Sequence, residues 1–365
     1  MNSTSITTNT RKHYLDNIRW ITVVIVVFYH VIYMYNAEGI LGVVGKITDL
    51  DVQYYDVFQY IVYPWFMFLL FMVSGISAKL YLDNHTDKEF VKTRTTRILV
   101  PSTVGLFAFQ FIQGYFNSYN AVQDPTMPVV AKVFVCLAAG IGVLWYLQLL
   151  WIYCILLVLV RKIEKDRFRP VCRRVNLPIL IVLSVVAYGA GLILNTPIVA
   201  VYRIGFYMFA FFMGYFVLSH DEVIEVLKKW FPLFAGVSII LCVAFCYVNF
   251  GGNYADAPTN RTPLFAFFGY FASLAIIGGM AKYANFSNGF TKWMSKRSFG
   301  LYVFHYLGIS IVAHYLGRTR ALPAPAIYLI SLVFAFVFGY VMNAIISRIP
   351  FFRWAVLGIS KKRSQ

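Results

Sequence analysis

Long apolar runs separated by short polar segments dominate the chain. Ten runs have the length of a membrane-crossing helix, which takes about 20 residues; they cover 17–36, 58–81, 98–116, 143–160, 177–195, 199–218, 231–250, 263–281, 298–316 and 324–347. A further run at 129–139 is too short to cross a bilayer, and its position between Pro128 and Gly140 favours an interfacial or re-entrant helix. The pattern predicts an all-α, polytopic membrane protein with about ten transmembrane helices.

The composition narrows the class of protein further. Hydrophobic residues make up 60% of the 365 positions and charged residues only 13%, a balance that soluble globular domains do not show. We expect one integral-membrane domain over residues 1–365, with an N-terminal tail of about 1–14 and a C-terminal tail of about 350–365. The sequence contains no internal repeat that would indicate a second domain.

The charged residues predict the orientation of the chain in the membrane. The net charge is +17, but Lys and Arg concentrate in every second loop, so we expect contact with the lipid bilayer and no nucleic-acid partner. The basic loops follow the even-numbered runs, which predicts a multi-pass protein of the plasma membrane with both termini in the cytoplasm. Arg318 and Arg320 are the exception, because they fall on the predicted outer side.

The first apolar run carries two ionisable residues on one helical face. Arg19 and His30 are eleven residues apart, a step that returns to within about 20° of the same direction and separates the two by about 16 Å along the axis. An ionisable side chain at this depth is costly in lipid and normally faces protein or a water-filled cavity at a functional site. We therefore expect a cation at the cytoplasmic mouth of a cavity and an imidazole deep inside it. Membrane anchoring is the alternative for Arg19, and core packing is the alternative for His30.

Three further residues extend this candidate site. Arg94 and Arg97 stand three residues apart at the cytoplasmic start of the third run, where two guanidiniums on one helical face can bind phosphate. Positive-inside anchoring is the simpler alternative for this pair. His305 lies two turns inside the ninth run, where core packing and a functional role are equally compatible with the sequence. The four upstream residues together describe a cytoplasmic polyphosphate site that leads toward a base.

Local patterns indicate several smaller roles. We expect Asp16 and Asn17 to cap the first helix and Ser298 to cap the ninth. Trp145, at the outer start of the fourth helix, is typical of an aromatic belt. Glu38, at the outer end of the first helix, either orients the base, contacts the acceptor or is simply solvated. The five cysteines form no CxxC pair, so we expect buried thiols, no disulfide framework and no metal site.

Five short motifs resemble those of the acyltransferase 3 family of membrane O-acyltransferases. They are Tyr14-Leu15-Asp16-Asn17-Ile18-Arg19 with His30, Phe71-Met72-Val73-Ser74-Gly75, Arg94-x-x-Arg97 with Pro101, Trp145-Tyr146-Leu147, and Ser298-Phe299-Gly300-Leu301-Tyr302-Val303-Phe304-His305. The motifs occur in the family order and extend over most of the chain. The opening motif is most similar to the branch that contains the glucan succinyltransferases.

The resemblance implies an activity and a role for each matched residue. Family members transfer an acyl group, most often acetyl, from cytoplasmic acyl-CoA to a hydroxyl of an extracytoplasmic glycan or glycolipid, and the branch similarity adds succinyl as an alternative. On this basis His30 is catalytic, Arg19 is essential near it, and Arg94 and Arg97 hold the CoA phosphates. Trp145 and His305 would support the site.

The resemblance leaves the handling of the acceptor and one rival function open. Some members carry an extracytoplasmic hydrolase-like domain at the C-terminus, which we expect this chain to lack, so the membrane domain or an extracytoplasmic partner protein would handle the acceptor. A transporter or flippase of a lipid-linked or small polar substrate is the alternative function. Such proteins more typically show the paired repeats and broken helices that we do not find in this sequence.

Overall fold

The structure is a computed structural model that describes residues 11–36, 43–49, 56–195 and 203–359. Within these ranges the chain is almost entirely helical, with one isolated bridge between Asn195 and Arg203 in place of any strand. The helices are α1 (His13–Met34), α2 (Val57–Leu82), α3 (Asp87–Asn117), α4 (Tyr119–Gln123), α5 (Val129–Gly140), α6 (Gly142–Glu164), α7 (Arg169–Cys172), α8 (Leu177–Gly191), α9 (Ile204–Phe216), α10 (Asp221–Lys229), α11 (Phe231–Asn249), α12 (Pro263–Tyr283), α13 (Gly289–Gly317), α14 (Ala324–Arg348) and α15 (Pro350–Ala355).

Each of the ten predicted spans contains a helix. In the described part of the chain, eight helices are long and apolar enough to cross a membrane, namely α1, α2, α3, α6, α11, α12, α13 and α14. The other two, α8 and α9, have 15 and 13 residues and reach only about 20 Å, against about 30 Å of hydrocarbon. The all-α polytopic membrane fold is therefore confirmed, whereas the count of ten spans and the cytoplasmic position of both termini stay predictions.

The helices divide into a buried centre and a peripheral layer. The side chains of α2 are mostly buried, whereas most side chains of α11 and α14 are exposed or partly exposed. The exposed side chains are large and apolar, such as Ile240 at 70% and Leu329 at 62% exposure. Apolar surface of this extent is costly in water and ordinary against lipid tails. The peripheral helices therefore face the bilayer, and the polar residues of the site belong to the central ones.

Two parallel helices, α1 and α13, pack together along their lengths. Near their starts, the Tyr14 amide donates to the Asn285 side chain at 3.2 Å. At their far ends, the Tyr35 ring lies directly against Gly317. His30 on α1 and His305 on α13 are 275 residues apart in the chain, so only this packing brings them side by side.

The predicted helix caps are wrong. Helix α1 already begins at His13, so Asp16 and Asn17 lie inside its first turns, and Asn17 instead donates to the carbonyls of Ala284 and Phe286 at 2.8 and 3.0 Å. Helix α13 begins at Gly289, nine residues before Ser298. Its capping side chain is that of Asn288, which accepts from the Thr291 amide at 2.9 Å.

Candidate active site

His30 and His305 form a hydrogen-bonded pair in the interior of the protein. His30 Nδ1 lies 3.0 Å from His305 Nε2. His305 Nδ1 lies 2.9 Å from the carbonyl oxygen of Tyr302 and 3.1 Å from that of Leu301. Since carbonyl oxygens only accept, His305 Nδ1 must carry a proton, and the neutral ring then has its lone pair on Nε2.

This hydrogen-bond pattern determines which nitrogen of His30 is available for chemistry. Because His305 Nε2 accepts, His30 donates from Nδ1, and the lone pair of His30 lies on Nε2. His305 is fully buried, whereas His30 is only partly buried. The pair therefore consists of one enclosed histidine that orients its partner and one accessible histidine with a free basic nitrogen.

Aromatic rings surround His30 on several sides. The ring centroids of Tyr306, Tyr29 and Tyr33 lie 4.9, 5.2 and 6.3 Å from that of His30. Such walls restrict the rotation of the imidazole and displace water around it. They fit a base that must meet its substrate in one orientation.

Arg19 lies on the same unbroken helix as His30, as its spacing predicts. Its guanidinium pairs with Asp16 at 3.0 Å and also donates to Ser77 of α2, and the side chain remains 37% exposed. It borders a cavity of about 260 Å³ to which Arg11 and Lys12 also contribute. Three cations and one carboxylate therefore line this cavity, which is suited to an anionic ligand.

Arg94 and Arg97 have different surroundings. Arg94 is half-buried, its guanidinium lies over the rings of Phe90 and Tyr81 at 5.0 and 5.6 Å, and its Nε has no hydrogen-bond partner. Arg97 is exposed. The backbone is π-helical over Thr95–Leu99, a segment that contains Arg97 and ends just before Pro101, which lacks the amide that an α-helix would use there. Arg94 lies within electrostatic range of both Arg19 and Arg97, and Arg97 is the member of the Arg94/Arg97 pair that lies at the surface.

Three side chains that carry hydroxyl groups, Ser74, Tyr146 and Tyr302, lie in succession between the arginines and the histidine pair. The Tyr146 hydroxyl is within electrostatic range of both Arg19 and Arg94 and lies 2.9 Å from the Ser74 hydroxyl. The Tyr302 ring follows, 6.1 Å from that of Tyr146 and 6.2 Å from that of His305. Sequence reasoning quoted Ser74, Tyr146 and Tyr302 within motifs but gave them no role. The sequence feature that indicates a role for them is a polar residue inside an apolar run.

Trp145 is not an aromatic belt residue. It is 8% exposed and packs against the rings of Tyr207 at 5.6 Å and Phe71 at 6.4 Å. It therefore supports the wall that holds Tyr146. Glu38 lies outside the described residues.

Arg203 is a buried cation that the sequence analysis missed. It is 2% exposed, its guanidinium lies 4.3 Å from the Phe265 ring centroid, and it donates to the Tyr207 hydroxyl at 2.6 Å. The sequence feature that indicates a buried cation here is a single arginine near the start of the sixth apolar run. Since Tyr207 also packs on Trp145, Arg203 stabilises the same aromatic wall from its other side.

The comparison with known proteins agrees with the motifs. The acyltransferase 3 family model, described as an acyltransferase domain, matches residues 12–344, which is nearly the whole chain. No curated protein and no solved structure matches the chain. The predicted family is therefore confirmed, and the closer relation to glucan succinyltransferases stays a prediction.

Proposed function

The chain belongs to the acyltransferase 3 family, and on that premise we propose that it transfers an acyl group from cytoplasmic acyl-CoA to a hydroxyl of an extracytoplasmic glycan or glycolipid. The proposed location is the plasma membrane. The observation that carries the proposal is the histidine pair, in which His305 directs the lone pair of His30 to Nε2. A hydroxyl acceptor needs such a base, because its own pKa lies far above neutral pH.

The proposed donor site uses the cations at the other end of α1. The nucleotide end of acyl-CoA carries several phosphate charges, and guanidiniums bind phosphate in bidentate fashion. The cavity beside Arg11, Lys12 and Arg19 offers such groups, and Arg94 adds another next to Arg19. The slender pantetheine arm would then pass Ser74 and Tyr146 and place the thioester near His30, which is about 16 Å from Arg19 along the helix.

The proposed reaction requires only the acceptor, the thioester and His30. His30 Nε2 takes the proton of the acceptor hydroxyl while the hydroxyl oxygen bonds to the thioester carbonyl carbon. The carbon–sulfur bond then breaks, and the leaving thiolate takes the proton back from His30 to give free CoA. His305 is a positioning residue, because its Nε2 stabilises the Nδ1 proton of the imidazolium that forms on His30. An acyl-histidine intermediate at Nε2 would use the same lone pair and stays an alternative.

The acyl group and the acceptor class are part of the proposal. We propose acetyl as the group, with succinyl as the alternative. Transfer assays that offer radiolabelled acetyl-CoA and succinyl-CoA side by side to membranes containing the protein distinguish the two. Transfer of neither label, with the protein folded, would contradict acyl-CoA as the donor.

The substitution His30→Ala tests the mechanism. We expect kcat to fall by about 10²-fold or more, the usual contribution of a general base, with abundance in the membrane unchanged. His30→Gln should rescue little, because an amide cannot accept a proton at neutral pH. Transfer should also fall in acid, since a protonated imidazole has no lone pair.

A matched control is His220→Ala, which removes a histidine outside the pair and should leave kcat unchanged. Near-normal transfer by well-folded His30→Ala protein would overturn the mechanism. A transporter would instead move its substrate without forming a labelled ester, so the absence of labelled acceptor in the wild-type assay would favour that alternative.

A further inference from the structure

A cationic cleft lies at the opposite end of α1 and α13 from Arg19. It has a volume of about 550 Å³, within the range of roughly 300–1,000 Å³ that is usual for small-molecule sites. Its walls combine three cations with three aromatic rings: Lys46, Arg318, Arg320, Tyr119, His314 and Tyr315. We name this site the outer cleft, after the side of the membrane on which the loop charges place it.

The outer cleft is built on the two helices that carry the histidine pair. The Val44 amide, in its wall, donates to the Met34 carbonyl at the end of α1 at 3.0 Å. Met34 is one turn beyond His30, and the Tyr35 ring that follows it packs on Gly317 of α13. The histidine pair therefore lies between a cationic cavity at Arg19 and a cationic cleft at the far ends of the same two helices.

Arg318 is held in the cleft by neutral acceptors alone. Its guanidinium donates to the Asn120 side chain at 2.9 Å and to the carbonyls of Phe116 and Asn117 at 3.2 and 3.3 Å. Its Nε is buried without a hydrogen-bond partner. Its guanidinium also lies 5.7 Å from the centroid of the Tyr119 ring, and no carboxylate among the described residues pairs with it.

Arg320 is also available to a ligand. Arg320 pairs with Asp49 at 3.2 Å, but the two side chains are 55% and 96% exposed, and such a surface pair contributes little. None of the described residues that line the cleft is acidic. The electrostatic potential in the cleft is therefore positive. Because one wall of the cleft is buried in the protein, this potential is screened less than at an open surface.

We propose that the outer cleft binds an anionic sugar unit of the acceptor, through its carboxylate or phosphate group. Guanidiniums recognise both groups in bidentate fashion, and the exposed ring of Tyr315 offers an apolar face beside the charges. The proposal deepens the proposed function, on which it rests, because it adds the charge of the acceptor. It also explains why two arginines stand on the predicted outer side against the positive-inside rule.

Binding of defined oligosaccharides tests the proposal without any turnover. The protein is placed in nanodiscs of phosphatidylcholine and titrated calorimetrically with trigalacturonate, with its fully methyl-esterified form, and with an oligomer of glycerol phosphate. The esterified sugar is the matched probe, because it keeps the rings and lacks the charge. We expect a charged oligomer to bind at least about tenfold more tightly than the esterified one, and the two charged oligomers distinguish a carboxylate from a phosphate.

Variants then locate the binding site. The double substitution Lys46→Gln with Arg320→Gln should weaken binding of the charged oligomer at least about tenfold, and Arg318→Gln should do the same. Arg318→Lys keeps the charge and should retain part of the affinity. Because Arg318 also connects helix ends, its substitution could destabilise the fold, so its variants must show an unchanged Tm. The double variant keeps Arg318 and does not need this check. Lys88→Gln removes an exposed charge elsewhere and is the control.

The outcomes distinguish failure of this proposal from failure of the proposed function. Equal binding of the charged and esterified sugars, or unchanged binding by the variants, would overturn the cleft assignment even if acyl transfer is observed. Binding by wild type and by His30→Ala alike, without transfer by wild type, would support the cleft and contradict the transfer reaction. If, in a second set of nanodiscs that also contain phosphatidylglycerol, that lipid binds through the same three cations and no sugar does, the cleft is a lipid site and the proposal is wrong.

Discussion

Substitution of His305 tests how the histidine pair works. In the structure His305 Nε2 accepts the Nδ1 proton of His30 at 3.0 Å, while its own Nδ1 is bound to two backbone carbonyls. His305→Ala removes that acceptor, so His30 loses both its fixed tautomer and the group that stabilises its imidazolium. We therefore expect a slower reaction with unchanged affinity for acyl-CoA, because the cations of the donor site lie elsewhere.

The size of the effect follows from the hydrogen bond that is lost. A hydrogen bond to a charged group contributes about 1.5–3 kcal/mol, and each 1.36 kcal/mol in the barrier is a factor of ten. His305→Ala should therefore reduce kcat by about 10- to 150-fold, a range whose upper end reaches the smallest effect expected for removing the base itself. His305→Gln should recover part of the loss, since its amide oxygen can accept the same proton.

The assay is transfer of radiolabelled acetyl from acetyl-CoA, with kcat and KM measured separately for the single and double variants. His30→Ala combined with His305→Ala should be no slower than His30→Ala alone, because the positioning residue has no role without its base. Multiplicative effects of the two substitutions would refute the coupling. A loss confined to the His305 variant would assign the base to His305 instead.

Three further predictions concern the donor site, the packing and the orientation. Arg94→Ala should raise the KM for acyl-CoA more than Arg97→Ala does, because Arg94 is half-buried within electrostatic range of Arg19 and Arg97 is exposed. Arg94→Lys should restore the KM only in part. Equal KM values for Arg94→Ala and Arg97→Ala would contradict the assignment. Gly75→Ala should destabilise the fold by about 1–3 kcal/mol, because the added Cβ would overlap the Phe211 carbonyl. Gly236→Ala is the control, because its Cβ would meet open space and should not destabilise the fold. Thermal unfolding in detergent measures both variants, and equal Tm values would refute the close helix contact. In a cysteine-free background, an impermeant reagent outside sealed cells should label Thr319→Cys and not Lys88→Cys, and the reverse result would invert the topology.

The sequence by itself determined the class of protein and the position of its first functional helix. Long apolar runs cross lipid as helices, because the helix satisfies all backbone polar groups within the segment, and each of the ten runs contains a helix in the described part of the chain. The sequence also predicted that Arg19 and His30 share one helical face, because the helical period fixes the relative directions of residues within one segment, whatever the rest of the chain does. The motifs identified the family for the same reason, since each is a short local pattern.

Local rules failed where the surroundings of a residue decide its role. Ser298 resembles a cap, yet α13 extends nine residues further because the polar segment before it is also helical and capped by Asn288. Trp145 resembles a belt residue only until α9 covers it with Tyr207. The contacts of Arg318 and Arg320 could not be predicted from the charge pattern, because their partners, Asn120 and Asp49, come from segments far away in the chain.

The tertiary structure alone decided which groups act together. His305 was ambiguous in the sequence, because nothing local relates it to a residue 275 positions away. Parallel packing of α1 and α13 places the two rings in contact, and the carbonyls of Leu301 and Tyr302 then set the protonation of both. The outer cleft has the same origin, since it forms where the ends of these helices meet α4 and the segment after α1. Helical periodicity acts within one segment, whereas a binding site is made by side chains from several, and only their packing defines the distances on which the chemistry depends.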